Sequence, residues 1–149
     1  MIIFLMLILL GGIALSQPIL GEADSLTYEK DRIIYTGHVK LSRGNAIITA
    51  DKVVIYLDEN RKAKKAEAEG HVKYVEGNRR ASADRAEYDF QSDVIKLFGN
   101  AKVEEGKNFV EADQIVYYRK EDRAVAMSEG KRVRTFYVEE KGEKVRDSK

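Results

Sequence analysis

The sequence predicts an all-β protein, and three observations carry that prediction. Runs rich in Val, Ile, Tyr, Phe and Thr recur along the chain: IIYTGHVKL, AIITADKVVIYL, DVIKLFGNAKV, FVEADQIVYY and KRVRTFYV. Charged or Gly-containing segments punctuate them, at the spacing expected of a many-stranded protein. The single proline, Pro18, precedes all of them. The third observation is an internal repeat, and it is the strongest signal in the chain.

The pair Ala-Asp occurs at 23–24, 50–51, 83–84 and 112–113, each time opening a short run that reaches a Tyr: ADSLTY, ADKVVIY, ADRAEY and ADQIVY. A second element, Gly-(His/Asn)-(Val/Ala)-Lys, stands at Gly37, Gly70 and Gly99, with a degraded version expected at Gly130. The step from Gly to the next Asp is constant, 37 to 51, 70 to 84 and 99 to 113. The step from Asp to the next Gly varies, 24 to 37, 51 to 70, 84 to 99 and 113 to 130. A fixed arm and a variable arm imply a rigid hairpin-like unit joined by loops that tolerate insertion. Lys62–Glu69, KAKKAEAE, has helix-forming composition, yet its alanines alternate at 66 and 68. It reads as a strand, because the surrounding repeat outweighs local propensity.

The apolar phase adds a bend to each repeat. Apolar or aromatic residues lie two and four places after each Asp (Leu26/Tyr28, Val53/Ile55, Ala86/Tyr88, Ile115/Tyr117) and one place before it. Strand side chains alternate faces with period two, so an odd step between two inward positions needs a turn or bulge near the Asp. Around each Gly the step is even, from Tyr35, Ala68 and Leu97 to Val39, Val72 and Ala101, and the face is kept. Stacked bent strand pairs would enclose one apolar interior, as a jelly-roll sandwich or a short β-solenoid.

The 149 residues suffice for one domain. Residues 1–16, MIIFLMLILLGGIALS, carry no ionisable side chain, and the unbroken apolar run is shorter than the roughly 20 residues of a membrane span. Ala14 and Ser16 suit the −3 and −1 positions of a cleavage site, so 1–16 read as a secretory signal peptide, with an uncleaved anchor as the alternative. Residues 17–138 then form the domain, and 139–149 a charged flexible tail. All 26 basic and 25 acidic residues follow Ser16, and so near a balance argues against a nucleic-acid surface. With no Cys there is no disulfide, and stability rests on burial and backbone pairing.

Catalytic chemistry finds no foothold. His38 and His71, the only histidines, are 33 positions apart, lack Cys companions, and are matched in the third repeat by Asn100. A compact polar side chain after a turn glycine explains them better than zinc ligation, which needs three or four converging donors. Asp24, Asp51, Asp84 and Asp113 share one context, whereas paired catalytic carboxyls need differing ones. An Asp accepting a backbone N–H at a bend accounts for all four. Nucleophile motifs, phosphate loops and cofactor motifs are lacking. The chain does not read as an enzyme, and neither cofactor nor metal is expected.

The run ADSLTY…GHVKL…ADKVVIYLDEN…AEAEGHVKY…ADRAEYDFQSDVIKLFGNAKV…ADQIVYYRKED resembles the OstA-like (LptA) family over about residues 22 to 138. The resemblance implies an open β-jelly roll, two antiparallel sheets in a V that cradles lipid acyl chains. It implies a periplasmic protein that binds lipopolysaccharide and passes it toward the outer membrane in a head-to-tail bridge. The implied partners are an LptC-like inner-membrane component, an LptD-like outer-membrane component and further copies of the chain. A membrane-anchored LptC-like relative is the alternative within the pathway, and a structural or polysaccharide-binding β-repeat protein the alternative outside it. On this reading the acyl chains meet Tyr35, Val39, Leu41, Ile48, Val53, Ile55, Val72, Tyr74, Leu97, Val103, Val110, Ile115 and Tyr117. Leu26 and Tyr28 at one end, and Val133, Thr135 and Tyr137 at the other, are the expected self-association edges.

Overall fold

The computed structural model describes residues 20–138. The expected signal segment, 1–16, and tail, 139–149, lie outside them. The chain forms β1 (Leu20–Glu22), β2 (Ser25–Tyr28), β3 (Arg32–Arg43), β4 (Ala46–Leu57), β5 (Ala63–Glu76), β6 (Arg79–Asp89), β7 (Val94–Glu105), β8 (Asn108–Tyr118), a 3₁₀ turn (Arg119–Glu121), β9 (Arg123–Met127) and β10 (Arg134–Phe136). All belong to one antiparallel sheet, a meander from β3 to β8. β1 and β2 both pair with β3, and β9 and β10 both pair with β8. Each pair acts as one broken strand, so eight bent strands run from edge to edge. The sheet does not close, and a meander replaces the solenoid.

The fixed arm of the repeat is a tight hairpin. Arg43↔Ala46, Glu76↔Arg79 and Glu105↔Asn108 are register pairs, leaving two-residue turns at 44–45, 77–78 and 106–107. Gly44, Gly77 and Gly106 hold the first turn position with φ near +60°, as a type II′ turn demands. The variable arm is the opposite end of the meander. Asp58 Oδ1 accepts the N–H groups of Asn60 and Lys62 at 2.8 and 2.9 Å, and Asp89 Oδ1 those of Gln91 and Ser92 at 2.9 and 3.0 Å. These side chains organise loops of different length, with one register shift beside the Asp58 loop, between Tyr56 and Leu57.

Between the two ends, every strand bends along one line. The register breaks at Thr36/Val39, Thr49/Lys52, Glu69/Val72, Ser82/Arg85 and Phe98/Ala101. Gly-His or Gly-Asn on one strand there opposes a single Asp, and both bulge residues take positive φ: 85° and 46° at Gly37-His38, 85° and 51° at Gly70-His71, 83° and 48° at Gly99-Asn100. A Cβ on Gly70 would lie 2.2 Å from the Asp51 carboxylate, and Gly37 and Gly99 sit equally close to Asp24 and Asp84. The bend thus fixes the glycine twice, by backbone angle and by the carboxylate lying on its Cα.

One cluster of buried residues spans both halves of the bent strands, joining Val39, Leu41, Ala50 and Val72 to Val53, Ile55, Ala68 and Leu97. The two sheets foreseen from the sequence are therefore halves of one continuous sheet, folded onto a shared interior. Large residues face small ones across neighbouring strands, as in Ile55↔Ala66↔Tyr88 and Val53↔Ala68. That pairing explains why the alanine-rich Lys62–Glu69 segment is strand: Ala66 and Ala68 are buried spacers against Ile55 and Val53. Tyr88, 1% exposed, donates its hydroxyl to Asp93 Oδ1 at 2.5 Å and meets Phe90 edge-on, with ring centroids 4.5 Å apart.

Candidate functional site: an apolar groove beside the C-terminal edge

The interior is packed through the middle strands and opens into a groove toward the last ones. Val39, Leu41, Val53, Ile55 and Val72 are buried in the main cluster, with Tyr35 packed against it. Ile48 and Tyr74 form a second cluster with Ala46 and Ala81, and Val103 leans on both clusters. Toward β8, β9 and β10 the packing loosens into a groove of about 430 Å³. Its walls include Leu97, Val103, Val110, Ile115 and Tyr117 from β7 and β8. Ala124 and Ala126 of β9, with Val133 and Thr135 around the start of β10, complete the far side. Five of the thirteen residues expected to meet acyl chains therefore line the groove, and the other eight make the packed core it grows from.

The physical cause is the change from bulky to small or missing side chains near the last strands. Ile115 and Tyr117 face Ala126 and Ala124 across β8–β9, and β9 stops at Met127 while β10 resumes only at Arg134. No partner strand fills the interval among the described residues. The groove's charged residues sit at the β6–β7 hairpin end, where Arg79 Nε lies 3.6 Å from Glu105 Oε2 and Arg80 pairs in register with Glu104. The deeper lining carries no ionisable group except the Tyr117 phenol, which is held protonated by its hydrogen bond to Asp122. Such a surface buries hydrocarbon at about 0.8 kcal/mol per methylene and offers no acid–base pair.

Ala124, Ala126 and Ile95 were not among the expected residues. The signal for the alanines was present but displaced. In the inner repeats the residue after each Asp pairs with the residue before each Gly, as in Lys52↔Glu69 and Arg85↔Phe98. In the last repeat Gln114 pairs with Met127, so Ser128, not Gly130, occupies the glycine position. Asp113 N–H donates to Ser128 Oγ at 3.1 Å, and Asp113 Oδ2 accepts the Glu129 N–H at 3.0 Å. Ala126 and Ala124 then stand two and four places before that position, the inward places of every repeat.

The two histidines do not converge. His38 Nδ1 lies 2.8 Å from Asp24 Oδ2 on the outside of the bend, and His71 Nδ1 lies 2.9 Å from Asp51 Oδ2, two strands away. In the third repeat Asn100 Nδ2 donates to Asp84 Oδ2 at 3.2 Å. The hydrogen bond to Asp24, then its charge, raises the His38 pKa, with Asp51 adding a smaller push. Three of the aspartates thus hold a side chain across the bulge, and Asp113 holds a backbone N–H. Among the described residues no group of three or more His, Cys, Asp or Glu could hold a metal ion.

Among the described residues both sheet edges lie bare. Leu26 and Tyr28 on β2 are 60% and 63% exposed, although they occupy inward positions beside Tyr35 and Ile33. At the other edge Tyr137 is 72% exposed, Val133 is exposed, and Thr135 pairs with Val110. Among the described residues no helix is long and apolar enough to cross a membrane.

Comparison with known proteins agrees with this architecture. The model of the LptA/(LptD N-terminal domain) LPS transport protein family matches residues 18–123. Lipopolysaccharide export system protein LptA of Escherichia coli K12 is 31% identical over 136 residues, covering 82% of this chain and 71% of that protein. The Haemophilus influenzae protein of the same name is 27% identical over 138 residues, covering 83% and 78%. LPS-assembly protein LptD of Xylella fastidiosa is 34% identical over 76 residues, 51% of this chain and 9% of that protein. The crystal structure of LptH, the LptA homologous periplasmic component of lipopolysaccharide transport in Pseudomonas aeruginosa, superposes with a TM-score of 0.68 at 21% identity. It covers 83% of this chain and 96% of that one, and it shares the fold. The chain belongs to the LptA/(LptD N-terminal domain) LPS transport protein family.

Proposed function

We propose that this protein is a periplasmic carrier of lipopolysaccharide, which takes lipid A acyl chains into the groove between β7, β8 and β9. One observation carries the reading: the packed apolar interior opens into a groove beside a bare sheet edge. A lipid tail needs a dry trough, and a carrier that hands its cargo on needs the trough to reach its boundary. The protein works as one segment of a head-to-tail bridge, its bare edges adding strands from further copies. The same edges serve an LptC-like component at the inner membrane and an LptD-like component at the outer membrane. No catalytic step is involved.

The test is displacement of a groove-bound fluorescent acyl probe. Lipopolysaccharide is expected to displace it, and Tyr117→Arg, which puts a charge into the groove, to abolish probe binding. Failure of lipopolysaccharide to compete with a bound probe would overturn the carrier reading and favour a structural or polysaccharide-binding repeat protein. The choice between a free carrier and an anchored LptC-like component rests on residues 1–16. N-terminal sequencing of the exported protein decides it, a start at Gln17 marking the free form and retention of Met1 the anchored one.

A further inference from the structure

The connection between β9 and β10 crosses a gap in the pairing of β8. β9 holds β8 as far as Gln114↔Met127, and β10 takes over at Glu111↔Arg134. Ala112 and Asp113 therefore have no strand partner on that side among the described residues. Residues 128–133 bridge the gap, turning at Gly130, whose φ is 74°. Alternate residues beyond the turn serve two different cavities. Val133 and Thr135 line the apolar groove, whereas Arg132 and Arg134 line a second pocket of about 340 Å³. Its floor is a row of side chains across neighbouring strands, Ser82↔Lys102↔Glu111↔Arg134. Asn100 and Asp113 at the bend, with Ser128 and Lys131 from the connection, form its sides.

Four bases and two acids line this pocket, and every carboxylate oxygen of the two acids is already engaged. Glu111 Oε1 lies 2.9 Å from Arg134 Nη1, and Glu111 Oε2 lies 3.7 Å from Lys102 Nζ. Asp113 Oδ1 lies 3.5 Å from Lys131 Nζ, and Asp113 Oδ2 accepts the Glu129 N–H at 3.0 Å. Glu104, outside the lining, adds a contact to Lys102 at 4.0 Å. Among the described residues no carboxylate pairs with Arg132. The neutral groups are donors as well. Ser128 Oγ accepts the Asp113 N–H, so the hydroxyl keeps its own proton to give. Asn100 spends one of its two amide protons on Asp84 Oδ2, and Ser82 adds a second hydroxyl.

The pocket thus holds more donors than acceptors and more positive charge than negative, and its donors come from several directions. A planar carboxylate uses one fork of such a set, whereas a phosphate presents three strong acceptor oxygens around one centre. We propose that this pocket binds a phosphate group, with Arg132 as its principal contact and Ser128 and Asn100 among its neutral donors. A guanidinium without a carboxylate partner is free to meet two phosphate oxygens at once. The volume falls in the range of small-molecule pockets, so the group can be carried on a sugar as well as enter as a bare ion. Two sources share this chemistry, a soluble phosphate compound and the headgroup of a lipid whose tails lie in the groove. The apolar and the basic cavity share one wall, the arrangement that an anionic amphiphile needs, and this favours the headgroup. The site stands on its own side chains, and only the choice of source rests on the carrier reading above.

The test titrates inorganic phosphate into the full-length protein at constant ionic strength and follows N–H signals by NMR. Signals of Ser128, Arg132 and Asn100 are expected to shift together and saturate, while those of β2 stay in place. Arg132 is exposed, so Arg132→Gln leaves the packing intact and is expected to weaken phosphate binding about tenfold, the loss of a hydrogen bond to a charged group. Arg123→Gln removes the same charge outside the pocket, where Arg123 lies over the Tyr118 ring and 3.6 Å from Glu121, and is expected to change nothing. No saturable shift at the pocket, or equal losses from the two substitutions, would overturn the site. The source is read by competition for the groove-bound acyl probe, using lipopolysaccharide and enzymatically dephosphorylated lipopolysaccharide. Arg132→Gln is expected to weaken the first about tenfold and to spare the second. If phosphate binds but the substitution affects both lipids alike or neither, the headgroup source is refuted and the pocket serves a soluble phosphate compound. If lipopolysaccharide displaces no probe at all, the carrier reading falls, and the phosphate titration still decides the pocket.

Discussion

Replacing Gly70 by alanine tests the bend most sharply, because two independent costs meet at that atom. Gly70 has φ of 85°, where an L side chain costs roughly 1–2 kcal/mol. The added methyl group would also sit 2.2 Å from Asp51 Oδ2 and 2.7 Å from its Cβ, so the carboxylate must leave the bulge and release His71. The Asp51 side chain is largely exposed, but its Cβ also stands in the way, so relieving the overlap shifts the strand as well and adds roughly 1–3 kcal/mol. Gly77 is the internal control, with φ of 63° and nothing within 4 Å of the point where a Cβ would stand. Gly70→Ala is expected to cost about 3 kcal/mol and Gly77→Ala about 1 kcal/mol. Urea titrations with unchanged m-values report these directly, and the larger loss corresponds to a Tm lower by roughly 10 °C for a domain of this size. Equal losses at the two glycines would refute the reasoning, because both take positive φ and the carboxylate contact is made at Gly70 alone.

Truncation of a packed and an open interior position should differ in the same way. Val39→Ala, at 1% exposure, is expected to cost about 2 kcal/mol, and Val110→Ala on the groove wall less than about 1 kcal/mol, read from denaturant midpoints. The Asp24 carboxylate raises the His38 pKa, so Asp24→Asn is expected to bring it back toward the ordinary value in an NMR titration. A raised folded value means that the pair supports the bend below the ordinary pKa of about 6.5 and ceases to as pH rises through the raised one. Backbone N–H groups hold the carboxyls of Asp58, Asp89 and Asp113 below their ordinary values. Their contribution is complete above about pH 4 and is lost as pH falls through the depressed values, so Asp58→Asn/Asp89→Asn should flatten the decline of Tm below about pH 4. An unchanged slope would show that these loops do not sense acid.

Much of the fold was legible because the repeat is a covalent record of the sheet. The constant step from Gly to Asp is the length of a hairpin closed by a two-residue turn, and the uneven step back is the looped end. Period-two phase also located the inner face: the thirteen residues expected to meet acyl chains point to the interior or line the groove, whereas Leu26 and Tyr28, in the same phase, lie exposed at the sheet edge. What the sequence concealed was the pairing across the bulge. Asp51 and Asp84 look anchored to the Gly that lies at constant distance before them, and Asp24 to a local turn, yet each of the three holds the His or Asn of the following strand. Only the fold brings residues together across the variable step. The position of the groove was hidden for a related reason: inward residues read alike whether they are packed against neighbours or left open. Openness depends on the alanines of β9 and the broken strand after it, where Ser128 replaces the marker glycine and the repeat drops out of view.

On the carrier reading, lipid occupies the open end of the interior rather than its packed end, and one experiment compares the two within a single protein. Photo-crosslinking amino acids are placed at Val110, Tyr117 and Val39, with lipopolysaccharide present and adducts read by mass. Adducts at Val110 and Tyr117 with little at Val39 are the predicted result. Equal capture at Val39, or none at either groove position in well-folded protein, would contradict it.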